Sequence, residues 1–232
     1  MVEDPRTTLG TVHSPLLATT KRRRSRITPR QEAALTSGSR HLLRLEGAPP
    51  RLIPTVDDVL DPALDLVLDI GFGTGQPVEE AAGREPTRGI IAVDLHTPGI
   101  GDLIYRIDSQ GLTNVVVIEA DVREVVPLLP VLAGARTYFP DPWPKKRHHR
   151  RRLISEDFTT ALAQRVQPGG FWHLATDWPD YAEHIEKIVG GHPEWAGGVI
   201  DRPAHRPVTR YEQYAQLAGR EAIDLWFERV TS

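Results

Sequence analysis

Three acids and a glycine turn in this chain could hold one ligand together. The string Asp69-Ile-Gly71-Phe-Gly73-Thr-Gly75 follows an apolar run, and Asp94 and Asp121 each follow another. Glycines at such a turn let the backbone bend tightly and let a ligand come close to it. With Gln76 next, the spacing is GxGxG and not the GxGxxG of dinucleotide-binding turns. An acid at the tip of the second strand, as Asp94 is, can accept both hydroxyls of a ribose. Asp121 at the third tip can accept from an adenine amino group. Asp69 would repel a pyrophosphate but can pair with an ammonium. The ligand these acids fit is a nucleoside carrying an amino-acid portion and no phosphate.

A second group follows the fourth apolar run. Asp141 stands between Pro140 and Pro142, which fix its backbone and hold its side chain at a strand tip. Trp143 is an aromatic surface on which a base could stack. Then come Lys145, Lys146, Arg147, His148, His149, Arg150, Arg151 and Arg152 without a break. So dense a run repels itself unless an anion compensates, and phosphates are the obvious anion. As a run at a cleft mouth, all eight residues are expected outside the core. A second basic run, Lys21 to Arg30, offers Arg22, Arg23, Arg24 and Arg26 to phosphates as well.

The elements that must position these groups can be read from hydropathy. Leu64–Ile70, Gly89–Leu95, Asn114–Ala120, Ala135–Phe139 and Gly170–Thr176 are short apolar runs of buried parallel strands. Segments of helical length lie between them: 75–83, 99–110, 122–132 and 155–166. Such alternation predicts βαβ units and a doubly wound parallel sheet. The run 167–170, Gln-Pro-Gly-Gly, reads as a helix stop followed at once by a strand, and 222–230 reads as a last strand. Residues 1 to about 48 lack periodicity and are expected to be a basic N-terminal arm, partly disordered, before a catalytic domain over 49–232.

Composition narrows the class. The chain has 232 residues, 40% of them hydrophobic, a net charge of −3 and no cysteine. One core with an arm is the expectation. Disulfides, thiolate metal sites and a cysteine nucleophile are excluded. His148 and His149 diverge as sequence neighbours, so no metal is expected. There is no secretory pattern at the start and no apolar stretch long enough for a bilayer, so a cytoplasmic protein is expected. The sequence leaves monomer and homodimer open.

The GxGxG turn with its acids resembles the class I S-adenosylmethionine-dependent methyltransferases. That implies an α/β Rossmann-like fold with a mostly parallel seven-stranded sheet and a final antiparallel strand. The strings FPDPWPKKRHHRRR, LATDWPDYAEHI, RPVTRYEQ and DLWFERV are similar to those of bacterial tRNA (guanine-N7)-methyltransferases, as is RRRSRITPRQ in the arm. The resemblance implies S-adenosylmethionine as cofactor and tRNA as partner, methylated at N7 of a variable-loop guanine. By position it implies that Asp69, Gly71, Gly73, Gly75, Asp94 and Asp121 hold the cofactor. Asp141 would lie between cofactor and guanine, binding the cofactor as well and acting as the catalytic residue. Lys145, Asp177, Thr209, Arg210, Tyr211 and Glu212 would contact the substrate. The family usually has Glu where Asp69 and Asp94 stand here, and Arg-Gly where Tyr214-Ala215 stand. Other readings are a related methyltransferase with a different substrate and an RNA-binding protein with an inactive cofactor site. A nicotinamide oxidoreductase is disfavoured by Gln76 and Asp69.

Overall fold

The computed structural model describes residues 26–231. The expectations for Arg22, Arg23 and Arg24 lie outside the described residues. Nine strands form one sheet: β1 (Leu42–Glu46), β2 (Arg51–Ile53), β3 (Asp65–Ile70), β4 (Arg88–Asp94), β5 (Val115–Glu119), β6 (Leu132–Tyr138), β7 (Val166–Thr176), β8 (Trp195–Ile200) and β9 (Ile223–Arg229). Their order is β2-β1-β5-β4-β3-β6-β7-β9-β8. The segment β1-β5-β4-β3-β6-β7 is parallel throughout. β9 runs antiparallel between β7 and β8, as expected of the last strand.

The six strands read from the sequence are present as β3 to β7 and β9, β8 supplies the seventh that the resemblance implies, and β1 and β2 extend the sheet at the β5 edge. This moves the boundary expected at residue 48. Helix α1 (Pro29–Thr36) and β1 belong to the folded body, because Leu42 and Leu43 pair with Val117 and Ile118. Thr28 caps α1 and exchanges bonds with Gln31, and Pro29 suits its first turn. Arg30 and Gln31 then donate to Asp102, at 2.8 and 2.9 Å.

The helices cover both faces. α1, α2 (Gln76–Arg84) and α3 (Thr97–Gln110) pack on one face, where Val78, Leu103 and Ile107 meet Ile90, Ala92, Val115 and Val117. α4 (Val122–Val125), α5 (Glu156–Ala163) and α6 (Pro179–Val189) pack on the other, where Phe158, Leu162 and Ile185 join the cluster that holds Ile91, Val93, Val116 and Ile118. Successive strand residues point to opposite faces, so an unbroken apolar run is what a sheet covered on both sides needs. The helix expected over 122–132 stops after one turn and a 3-10 turn at Val126–Leu128. Pro127 and Pro130 account for that, since neither can donate to a continuing helix. β8, α6 and α7 (Arg210–Leu217) are further elements that the hydropathy reading had not separated.

Strand order reverses between β3 and β6. Connections leave the two strands in opposite directions there, which opens a crevice at their carboxyl ends.

Candidate active site

The crevice holds a cleft of about 260 Å³ bounded by Gly71, Asp94, Asp121, Tyr138, Asp141 and Tyr211 among others. After β3 the chain turns through Gly71, Gly73 and Gly75, with φ of 74°, 62° and 77°. A Cβ at Gly75 would lie 2.7 Å from that of Leu103, so the turn is pressed directly onto α3. At Gly71 a Cβ would meet nothing within 4 Å.

Asp94 fixes this turn. Its Oδ2 accepts from the Gly73 amide at 2.8 Å, and its Oδ1 accepts from the amides of Leu95 and His96 at 2.6 and 2.8 Å. A carboxylate has about four lone-pair sites. One therefore remains for a hydroxyl in the cleft. Burial raises the Asp94 pKa, against these three backbone bonds, which lower it. Asp121 caps α4 by accepting from the Arg123 amide at 3.0 Å, and faces the Arg123 guanidinium at 3.6 Å. It is a helix cap and a wall of the cleft at once.

Asp69 sits behind the glycine turn rather than in the main cleft. It borders a smaller recess with Gly71, Gly73, Tyr138 and Tyr211. Burial pushes its pKa up to about 6, opposed by Arg136 and helped by Asp94 and Glu85. A carboxyl raised above its unfolded value favours the fold most below about pH 4, and that contribution is lost as pH rises through about 6. Asp69→Asn, neutral at all pH, is therefore expected to be more stable than wild type at pH 8, with the gap closing towards pH 4. Urea denaturation at the two pH values checks this. A variant no more stable at pH 8 would mean that Arg136 offsets the burial in full.

The loop after β6 places Asp141 at the cleft, exposed. Phe139 and Trp143 on either side adopt φ of 54° and 45°, which side chains rarely take. Such strain costs about 1–3 kcal/mol per residue and concentrates at functional sites. Arg151 lies over the Trp143 ring at 4.9 Å. Lys145, Lys146, Arg147, Arg150 and Arg151 are exposed, and a 3-10 turn over Lys146–Arg151 carries most of them. Arg152 corrects the expectation for the basic run. It is buried, donates to the Pro142 carbonyl at 2.9 Å and pairs with Asp180. It braces the loop.

The other expected substrate residues divide. Arg210 and Tyr211 are exposed at the start of α7, and Tyr211 borders both the cleft and the recess. Thr209 caps α7, accepting from the Glu212 amide at 3.1 Å. Glu212 is buried, its carboxylate held by Arg202 and Arg206. Asp177 pairs with Arg220 at 2.7 Å, and neither it nor Lys145 borders the cleft. Among the residues that the sequence had not singled out, Arg123, Tyr138 and Phe139 also border it. Tyr138 and Phe139 could have been found, since they end β6 immediately before the Pro-Asp-Pro turn. Nothing local marks Arg123.

Among the described residues no group of His, Asp or Glu is arranged to hold a metal, and no helix is long and apolar enough to cross a membrane.

A family model described as "Putative methyltransferase" matches residues 64–225. Sheet order, cleft and this match define a methyltransferase of Rossmann-like fold. Relatives named tRNA (guanine-N(7)-)-methyltransferase include one of Streptomyces coelicolor, 42% identical over 90% of this chain and 79% of its own length. One of Nitrosococcus oceani is 38% identical over 90% and 89%. One of Streptomyces avermitilis is 46% identical over 71% of this chain, which spans 60% of that relative. The chain belongs to the tRNA (guanine-N(7)-)-methyltransferase family. Solved structures share the fold at low identity. The 16S rRNA methyltransferase KamB has a TM-score of 0.57 at 16% identity, covering 82% of this chain and all of that one. TrmN from Thermus thermophilus has a TM-score of 0.53 at 21%, covering 73% of this chain and 45% of that one.

Proposed function

We infer that this chain transfers a methyl group from S-adenosylmethionine to N7 of a variable-loop guanine in tRNA. The observation that carries the reading is that one cleft is bordered by Asp94, by Asp141 in its proline turn and, through Arg151, by the exposed basic turn. The donor fits the residues present. Asp94 keeps a lone pair for a ribose hydroxyl, the space beside Gly71 is open, and Asp69 at the recess suits an ammonium. When bound, it supplies an electrophilic sulfonium methyl.

Guanine N7 carries a lone pair and no proton, so no general base is required before attack. The protein's work is then positioning and electrostatics. N7 and O6 are both acceptors, so a carboxylate cannot bind that edge. Asp141 would accept instead from N1–H and the exocyclic amine, turning N7 towards the methyl group. Its charge would stabilise the positive charge left on the base. The engagement of Asp177 by Arg220 favours Asp141 for this role. The reading implies a tRNA-bearing, cytoplasmic setting. Its test is methyl transfer from labelled donor to unmodified tRNA transcripts, and absence of label with the donor still bound would overturn it.

The exposed cations should neutralise phosphates while the buried one should not. Arg150→Ala is expected to lower the slope of log affinity for tRNA against log salt by about one. Arg152→Ala, which removes a buried partner of Asp180 and Pro142, is expected to lower the melting temperature and leave that slope unchanged. Filter binding across a salt series, with thermal melts, separates the two. Equal effects on slope would contradict the division.

A further inference from the structure

Behind the cleft lies a chain of buried polar contacts that the reaction as described does not use. The Tyr138 hydroxyl is 2.9 Å from His173 Nδ1, and His173 Nε2 is 2.8 Å from Asp224 Oδ1. A carboxylate can only accept, so Nε2 carries the ring proton and Nδ1 accepts from Tyr138. Arg206 Nε lies 2.7 Å from the same Asp224 oxygen, without hydrogen-bond alignment, so charge attraction holds that contact. The two terminal nitrogens of Arg206 donate to both oxygens of Glu212, at 2.9 and 2.7 Å. Arg202 adds a bond to Glu212 at 3.0 Å and one to the Arg206 carbonyl at 2.9 Å. His173, Arg206, Glu212 and Asp224 are each at most 2% exposed. Two arginines balance two carboxylates around a histidine whose protonation burial opposes.

The contacts join β6, β7, β9, the 201–209 connection and α7, and both ends reach the cleft. At one end Arg206 also lies over the rings of Tyr138 and Phe139, at 5.8 and 5.7 Å. At the other, Glu212 and Ala215 form the buried side of α7, while Arg210 and Tyr211 face outwards. A Cβ on Gly73 would be 3.5 Å from the Tyr211 ring, so the height of α7 sets how Tyr211 closes over the glycine turn. Buried, and holding three bonds from Arg202 and Arg206, Glu212 is out of a substrate's reach.

We propose that Tyr138, His173, Asp224, Arg206 and Glu212 form a positioning relay that seats α7 against the sheet and places Tyr211 over the cleft. Glu212 and Asp224 thereby serve tRNA binding without touching tRNA. The proposal rests on the function inferred above. Asp224 borders none of the cleft's recesses, so Asp224→Asn is the cleanest probe. The expected result is a KM for a tRNA transcript raised about tenfold, with kcat within about twofold of wild type. Tyr211→Ala should show the same pattern, and the double variant should be no worse than Tyr211→Ala alone, because both remove one placement. Amide exchange in α7 should quicken while that of β3 and β4 stays unchanged. If Asp224→Asn does not fold, Arg206→Lys, which keeps the charge but cannot span both carboxylates, carries the same readouts. An unaltered KM, losses that multiply in the double variant, or a loss confined to kcat would each overturn the relay. Wild-type protein that does not methylate the transcript would instead remove the functional reading itself.

Discussion

Asp141→Ala is expected to lower kcat for tRNA methylation about 10²-fold while leaving tRNA affinity close to wild type. Asp141 is exposed at the cleft, and the prolines on both sides fix where its carboxylate can be. Few other contacts depend on it, so the fold should survive its loss. Affinity for tRNA should survive, since the proposal assigns it to phosphate contacts of the exposed cations. In the role proposed for it the carboxylate orients the base and faces the charge that develops on it, so the loss should fall on turnover. Removing one preorganised electrostatic group of this kind typically costs about 10²–10³ in kcat. Asp141→Asn should recover part of the orientation and none of the charge, and so fall between. Single-turnover kinetics with saturating tRNA measures the step directly. Normal turnover in Asp141→Ala would rule out the role.

The second large effect concerns Asp94. Its carboxylate accepts three backbone amides and keeps one lone-pair site, which the proposal gives to the methyl donor, so Asp94→Ala should remove that contact and release the glycine turn together. A hydrogen bond to a charged group contributes about 1.5–3 kcal/mol, which for the ligand contact alone is roughly 10- to 100-fold in affinity. Loosening the turn adds to this, so donor affinity is expected to fall by about 100-fold. The three amides left without an acceptor should also cost about 2 kcal/mol of stability. Calorimetric titration with S-adenosylhomocysteine and urea denaturation read the two losses separately. Affinity within about threefold of wild type would show that the ribose is held elsewhere.

What could be read from the sequence follows a physical line. β3, β4 and β5 stand out because a parallel strand covered on both faces is apolar through its middle, as at Leu66–Leu68, Ile90–Val93 and Val115–Ile118. The glycine turn and the acids at the strand tips are local too. Edge elements lack this signal. β1 alternates Leu-Leu-Arg-Leu-Glu, β2 has three residues, and β8 contains two glycines with Val199 and Ile200 exposed. Their pairing depends on neighbours far away in the chain. Buried charges are the hardest to see. Arg152, Arg206, Glu212 and Asp224 are residue types that normally face water, and each is buried because a partner meets it. His173 and Asp224 are 51 residues apart, so no local pattern links them. The sequence therefore marks the charges around the site well, and separates poorly those that meet the ligand from those that hold the loops.

The most direct test is to locate the methyl group. Unmodified tRNA transcripts would be methylated and then treated with chemistry that cleaves the chain at N7-methylguanine, beside a transcript whose variable-loop guanine is changed to adenine. The expected result is one cleavage at the variable-loop guanine in the first transcript and none in the second. Methyl incorporation without cleavage, or equal incorporation into both transcripts, would contradict the assignment of this cleft to guanine N7.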